Sequence, residues 1–441
     1  MLNLRRIQNK KFFGGVSILL ALCLIYALGP KISASSFITP PVIYVDSQTG
    51  DVLQNFEPKS QSLTQEKDTA KAPIKPGDSD HNPIKDAHEE EEAALQQINQ
   101  GHSGKSSSNN GDCVIPGKRV KATFVSLARN SELYDLINAI RNVEDRFNRK
   151  FNYDWVFLND EPFTEEFKRV TSAIVSGTAK YGLVPEEHWS YPDFIDKKKA
   201  ARARKAMSEA GIIYGDSESY RHMCRFESGF FFRHPLMEEY DWYWRVEPGI
   251  KIHCDLNYDL FKYMEDNNKV YGFTISIHEF EKTITTLWKH TKEFMNLHPE
   301  HIAKDNFMKF ISNDDGKTYN LCHFWSNFEV ASLKFWRSQA YTDYFDYLDK
   351  QGGFFYERWG DAPVHSIAAS LFLPKDAIHF FSDVGYNHGV YTQCPLNEQF
   401  RFDHKCDCNP DSDFTFRGYS CGNKYYEAME LEKPKEWVDY Q

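Results

Sequence analysis

The chain has 441 residues, enough for one large domain or two ordinary ones. A net charge of −11 argues against a nucleic-acid partner, because binding phosphates requires a basic footprint. Hydrophobic residues make up 41% and aromatics 15%, with 24 Tyr and 34 Phe, which predicts a sizeable core and rings available to stack on sugars or bases.

Arg5, Arg6, Lys10 and Lys11 precede an apolar run from Phe12 to Gly29. A positive flank on the N-terminal side keeps that end in the cytoplasm and sends the rest of the chain across. The run spans roughly 27 Å as a helix, which suits a thin early-secretory membrane. A cleaved signal peptide is the competing reading, with Ala34 and Ser36 near a cleavage site, but the run is long for one. The expected layout is a tail at 1–11, a membrane-spanning signal-anchor at 12–29, a flexible stem at 30–112 and a folded domain at 113–441. Pro-Pro at 40–41, the acidic run Glu89 to Glu92 and the Gly/Ser/Asn-rich stretch at 101–111 make the stem a polar linker, with a helix around 89–98 as its one regular element.

Beyond Cys23 stand Cys113, Cys224, Cys254, Cys322, Cys394, Cys406, Cys408 and Cys421. An oxidising lumen allows four bridges among these eight, with the pairing open. The last four crowd around His404, which also admits a zinc site. No C-x-x-C pair supports zinc, so disulfides stapling an irregular C-terminal segment are the expectation.

Lys121–Ala128 reads as a strand ending at Arg129, and Ser131 onward as a helix with Leu133, Leu136, Ile137, Ile140, Val143 and Phe147 on one face. Asp154–Leu158 is a second strand, ended by Asn159-Asp160-Glu161-Pro162, and Thr164–Val175 a second helix. That alternation predicts a parallel α/β core. Neither a G-x-G-x-x-G turn nor a P-loop follows the first strand. Arg129, at a strand's carboxyl end, is a surface arginine or a nucleotide contact. Lys197–Lys205 reads as the solvated face of a helix. Gly215–Phe226 reads as loop into helix, Asn268–Ile277 as one strand, Phe280–Leu297 as one helix, and Ile378–Ser382 as a strand before a polar turn.

Trp242–Val246 has strand composition and stops at Glu247-Pro248-Gly249. Pro has no N–H for a ladder and Gly tolerates positive φ, so the chain turns there. Glu247 is then either a solvated acid beside an ordinary turn or a carboxylate at a strand's carboxyl end, where a metal on a nucleotide diphosphate would sit. Arg245, two residues back, points to the same face and has the fork geometry for a diphosphate.

Tyr240–Asp255, Tyr319-Asn-Leu-Cys-His-Phe-Trp-Ser-Asn-Phe-Glu-Val330 and Gly352-Gly-Phe-Phe-Tyr-Glu-Arg-Trp-Gly-Asp-Ala-Pro-Val-His-Ser366 are long and unusual motifs. Together they strongly resemble the fungal α-1,2-mannosyltransferases of the secretory pathway, glycosyltransferase family 15, over about residues 113–441. The resemblance implies a GT-A fold, a mixed and largely parallel sheet flanked by helices. It also implies a type II Golgi membrane enzyme that uses Mn²⁺ to move mannose from GDP-mannose, with retention, to mannosides on O- or N-linked glycans. The rivals are a mannosylphosphate transferase and a non-catalytic glycan-binding or scaffolding member.

Carried over by resemblance, Glu247 matches the metal-binding acid of a variant Asp-X-Asp motif whose second acid is here Gly249. His388, in Tyr386-Asn-His-Gly389, matches the second protein ligand, and Glu329 the proposed nucleophile. Mixed carboxylate and imidazole donors suit Mn²⁺. Glu329, read as lying in an aromatic helix, is a nucleophile, an electrostatic stabiliser or a buried helix acid, and front-face attack without a protein nucleophile stays open. Tyr220 is a candidate to orient sugar or acceptor. Arg129, Arg245, Trp325, Glu357 and Asp361 are donor-binding candidates, with Arg358 behind them, and each fits a supporting position as well as a contacting one.

Overall fold

The computed structural model describes residues 119–436 and a short antiparallel pair of strands, Tyr44–Val45 with Val52–Leu53. That pair falls within the expected stem. The apolar run at 12–29, the helix around 89–98 and Cys113 lie outside the described residues. Among the described residues no helix is long and apolar enough to cross a membrane.

The elements follow in chain order. Strand β1 (Ala122–Leu127) leads to α1 (Leu133–Arg146), β2 (Asp154–Asn159), α2 (Glu165–Ile174) and β3 (Ala179–Leu183). Then come α3 (Lys197–Glu209), α4 (Glu218–Gly229), β4 (Trp242–Val246), β5 (Ile250–Ile252) and α5 (Leu260–Asp266). After β6 (Tyr271–Phe273), β7 (Ser276–His278) and α6 (Leu287–Leu297) come β8 (Cys322–Phe324) and β9 (Phe328–Ser332). Helices α7 (Gln339–Gln351) and α8 (Asp361–Phe372) precede β10 (Ile378–Phe380), β11 (Tyr386–His388) and β12 (Tyr391–Gln393).

The main sheet has seven strands in the order β10-β6-β9-β4-β1-β2-β3. β4, β1, β2 and β3 run parallel, β10 is parallel to β6, and β9 is antiparallel to both its neighbours. This is the expected mixed, largely parallel α/β sheet. The side-chain period of two divides β4 cleanly: Tyr243 enters one buried cluster, whereas Trp242, Trp244 and Val246 enter the other. Helix α1 covers the second cluster with Leu136, Ile140 and Val143, and α4, α7 and α8 cover the first with Phe226, Tyr344 and Ile367. Both faces of the sheet are therefore dry, which explains the nearly continuous apolar strands.

Three expectations need correction. Asn268–Ile277 is not one strand: β6 joins the main sheet, while β7 pairs with β8 in a separate two-stranded sheet. Phe280–Leu297 is not one helix, since only Leu287–Leu297 is α-helical, after a short 3₁₀ turn at Glu281–Thr283. Glu329 lies on β9, not on a helix. Its aromatic neighbours are packed through the sheet period rather than a helical one.

The cysteines pair as Cys254–Cys406, Cys322–Cys421 and Cys394–Cys408. Each bridge ties the C-terminal segment to itself or to the strands, as a stapled segment requires. Four bridges do not form among the described residues, because Cys224 is a free thiol buried in α4. The four clustered cysteines are all oxidised, which removes the zinc alternative around His404.

Candidate active site

A cavity of about 420 Å³ opens where the sheet order reverses, between β1 and β4. Its lining comes from the carboxyl ends of three parallel strands. β1 gives Leu127, Ala128 and Arg129, β2 gives Asn159 and Asp160, and β4 gives Glu247 and Pro248. Ligands of open α/β sheets bind at this kind of switch point, because neighbouring loops diverge there. Helix α4 closes one side with Tyr220, Met223 and Glu227, which share a face at i, i+3 and i+7. Tyr214 and Ser217 come from the loop before it, Ser219 from its first turn, and His388 arrives from β11.

The turn at Pro248-Gly249 forms as its sequence requires, with Gly249 at φ +82°. It ends β4 at Glu247 and starts β5, which pairs with β11 so that His388 lies opposite Ile250. A short crossed pairing thus brings His388 to the same cavity as Glu247. The Asn327 carboxamide contacts His388 Nδ1 at 2.9 Å, and the Tyr386 hydroxyl donates to Asn327 Oδ1 at 2.8 Å. Among the described residues no side chain is hydrogen-bonded to His388 Nε2.

Arg245 lines the cavity, and its guanidinium is paired with acids. It is buried and held by acids: Nη2 lies 2.5 Å from Glu247, and Nη1 lies 2.5 Å from Asp361 and 3.9 Å from Glu227. Burial alone would depress its pKa, but Glu227, Asp361 and Glu247 together carry it well above the ordinary value. Glu247 and Asp361 already outnumber the one guanidinium they share, so negative charge remains beside the cavity even when Glu227 holds its proton. That surplus, with Glu247 oxygen and His388 nitrogen as donors, fits a divalent cation of the Mn²⁺ type. Burial pushes the Glu227 carboxyl up to about 7, against the pull of Arg245.

The other expected residues divide. Tyr220 and Arg129 line the cavity. The Tyr220 ring stacks on Tyr214 at 4.6 Å and carries the Arg358 guanidinium at 5.2 Å on its π system, and burial raises its hydroxyl well above the usual pKa. It is therefore a neutral O–H. Arg129 donates from Nη2 to Ser219 Oγ at 3.1 Å.

Glu357, Asp361, Trp325 and Glu329 are not among the residues that line the cavity. Glu357 accepts from Thr286 N, Thr286 Oγ1 and Trp359 Nε1, so it holds the start of α6. Asp361 is buried at the start of α8, accepting from Ser326 Oγ at 2.7 Å besides Arg245. The ring of Trp325 packs on His388 at 5.2 Å. Glu329 is 0% exposed and lies directly across the sheet from Arg245. His365 Nδ1 sits 2.9 Å from one of its oxygens and 3.3 Å from the other. His365 Nε2 in turn reaches the backbone carbonyl of Glu227 at 3.2 Å. Burial would lower the His365 pKa, yet Glu329 raises it. The Glu329 carboxylate is enclosed, and its hydrogen bond to His365 connects it to α4.

Glu227, Glu132, Asp160, Tyr214, Ser217 and Trp189 line the cavity without having been singled out in the sequence. For Glu227 a signal existed: its spacing from Tyr220 puts both on one helix face.

The chain matches the family described as glycolipid 2-alpha-mannosyltransferase over residues 74–430. It belongs to that family. It is 74% identical over 327 residues to glycolipid 2-alpha-mannosyltransferase 2 of Candida albicans, covering 74% of this chain and 71% of the relative. It is 63% identical over 324 residues to alpha-1,2 mannosyltransferase KTR1 of Saccharomyces cerevisiae, covering 74% of this chain and 82% of that one. Among solved structures, the Mn/GDP form of core-mannan synthase A from Aspergillus fumigatus superimposes with a TM-score of 0.68 at 39% identity, over 75% of this chain and 93% of the other. The mannosyltransferase Ktr4p of S. cerevisiae, in complex with GDP, gives 0.68 at 34% identity, over 81% and 94%. The mannosyltransferase family and the mixed α/β architecture read from the motifs are both borne out.

Proposed function

We propose that this member transfers mannose from GDP-mannose to the 2-hydroxyl of a mannoside, with retention. The observation that carries the reading is the meeting of Glu247 and His388, from distant parts of the chain, in a cavity that Glu132, Asp160 and Glu227 also line. The Mn/GDP complex of a relative with 39% identity supports the same choice of donor and metal. Glu247 and His388 would hold Mn²⁺, which neutralises charge on the departing diphosphate. Arg129, Asn159 and Asp160, at the ends of β1 and β2, form the wall that receives the nucleotide.

The chain's own groups do the rest. Tyr220 keeps its proton at neutral pH and presents a fixed O–H to the reacting sugars, because Tyr214 and Arg358 restrain its ring. Glu227, on the same helix face, offers a carboxyl to sugar hydroxyls. Glu329 works at one remove, through His365 on the Glu227 backbone. In this reading the natural acceptors are O- or N-linked glycans, the apolar run at 12–29 anchors the chain as a type II protein, and the catalytic domain at 113–441 stands in the Golgi lumen. The basic N-terminal flank and the length of the run support the anchor.

The test is transfer by the purified chain from GDP-mannose to methyl α-mannoside with added Mn²⁺, read by mass. A gain of one hexose is expected, and a gain of hexose phosphate would identify a mannosylphosphate transferase instead. Glu247→Gln and His388→Gln are each expected to weaken apparent Mn²⁺ affinity by about 10–100-fold, the cost of disturbing a metal's ligand environment. Calorimetric Mn²⁺ binding reads this without turnover, and unchanged affinity in both variants would remove them as ligands.

A further inference from the structure

His388 borders the cavity on one side and an aromatic wall on the other. Trp325 packs on His388 at 5.2 Å and meets Tyr391 edge-on at 5.5 Å. Tyr391 continues to Phe414 at 4.4 Å and to Tyr419 at 6.1 Å. Neither Trp325 nor these rings line the cavity itself. They lead away from it towards solvent, where Tyr419 is 51% exposed.

The wall is held still. The hydroxyls of Tyr391 and Tyr419 are hydrogen-bonded at 2.6 Å. The backbone of Tyr419 accepts from His278 N at 3.0 Å, and Cys421, two residues on, is bridged to Cys322. Phe414 N donates to Thr392 O at 2.7 Å, which fixes the wall's far side to β12. Side chains that are only filling a core have no need of exposed rings tied by hydroxyls. Rigid rings with polar rims are what a pyranose requires: its C–H faces lie on the ring, and its hydroxyls find donors at the edge.

We propose that Trp325, Tyr391 and Tyr419 form a subsite for the inner mannose residues of an oligomannoside acceptor, beyond the residue that is extended. Continuity argues for the occupant: the nucleotide is assigned the wall at the ends of β1 and β2, while the rings run unbroken from His388 through Trp325 and Tyr391 to the exposed Tyr419, a track for a chain whose terminal sugar sits by His388. The subsite rests on the transferase reading, so the two are tested side by side.

The experiment compares KM for methyl α-mannoside and for a linear α-mannotriose, at saturating GDP-mannose and Mn²⁺, in the wild-type chain and in Tyr419→Ala and Tyr419→Phe. Tyr419→Ala is expected to raise KM for mannotriose about tenfold, or roughly 1.4 kcal/mol, and that for methyl α-mannoside less than about twofold. Tyr419→Phe, which keeps the ring, is expected to stay within about threefold of wild type for both. Equal effects on both acceptors, a rise confined to the KM for GDP-mannose, or no effect would overturn the subsite. Calorimetric titration of mannotriose in the presence of GDP and Mn²⁺ gives a reading without turnover: its Kd should weaken about tenfold in Tyr419→Ala, and an unchanged Kd overturns the proposal. Absence of transfer by the wild type would sink the proposed function alone.

Discussion

At the scale of single residues, Arg245 organises the site. Its guanidinium is in contact with Glu247, Asp361 and Glu227, and it stands opposite Glu329 in the sheet register. Removing it leaves buried carboxylates without a counter-charge, which typically costs about 3–5 kcal/mol. Arg245→Met is therefore expected to lower the unfolding midpoint sharply, and a variant as stable as wild type would show that the acids are neutralised in another way. Glu329 poses the opposite question. Its oxygens are engaged by His365 and it is fully enclosed, so Glu329→Gln is expected to cost about 1–3 kcal/mol of stability, the loss of a charged buried hydrogen bond. Turnover should fall by no more than about tenfold, through α4. If kcat falls by on the order of 10³ or more while the melting temperature holds, Glu329 acts directly and the positioning role is wrong.

At the scale of elements, the site depends on a small sheet that the sequence barely announces. β5, β11 and β12 have three residues each, and they carry His388 into place. Two disulfides flank this sheet: Cys254 follows β5, and Cys394 follows β12. The Cys394–Cys408 bridge closes a sequence separation of 14, for which chain entropy gives about 3 kcal/mol. A Cys394→Ala/Cys408→Ala double variant is expected to lose roughly that much stability. Its Mn²⁺ affinity should fall as well, measured by calorimetry, because β12 then holds β11 less firmly. Retained affinity would show that the hairpin's own hydrogen bonds suffice.

What could be read from the sequence follows from the same contrast. β1, α1, β2 and α2 were legible because each has a long period and a clear stop, such as the Thr164 cap whose hydroxyl accepts from Phe167 N. β3, Ala179–Leu183, has no β-branched residue to mark it. The break between β6 and β7 was hidden because both halves are equally β-prone, and only pairing with β8 separates them. Of the site, the carboxyl-end acid Glu247 was legible from the Pro-Gly stop. The roles of Glu357 and Asp361 were not, because a carboxylate that caps a helix and one that binds a sugar look alike until their partners are seen.

At the scale of the whole molecule, the protein buries histidines in neutral form. Burial lowers the pKa of His234, His253, His323 and His379, the last to about 4. His365 runs the other way, since Glu329 raises it. The signs differ in consequence. A histidine with a depressed folded pKa is neutral when folded and protonated when unfolded between that folded pKa and the ordinary 6.5, so its stability contribution is complete above 6.5 and drains away as pH falls. The His365 contribution is complete below 6.5 and is lost as pH rises. With His188 and His222 also lowered, six described histidines of the first kind stand against His365, so the histidines as a group weaken the fold on acidification. His379 isolates the effect: it lies on the edge strand β10, packed against Tyr263 at 4.8 Å and Phe381 at 4.5 Å, away from the cavity. Between pH 7 and pH 5 its share of the loss is about 2 kcal/mol, at 1.36 kcal/mol per unit over the interval below 6.5. Urea unfolding of wild type and His379→Gln at both pH values measures it directly. The variant is expected to lose about 2 kcal/mol less on acidification than the wild type, whatever its stability at pH 7. An identical loss in the two proteins would mean that His379 reaches its proton in the folded state, and that the strand edge is open to water.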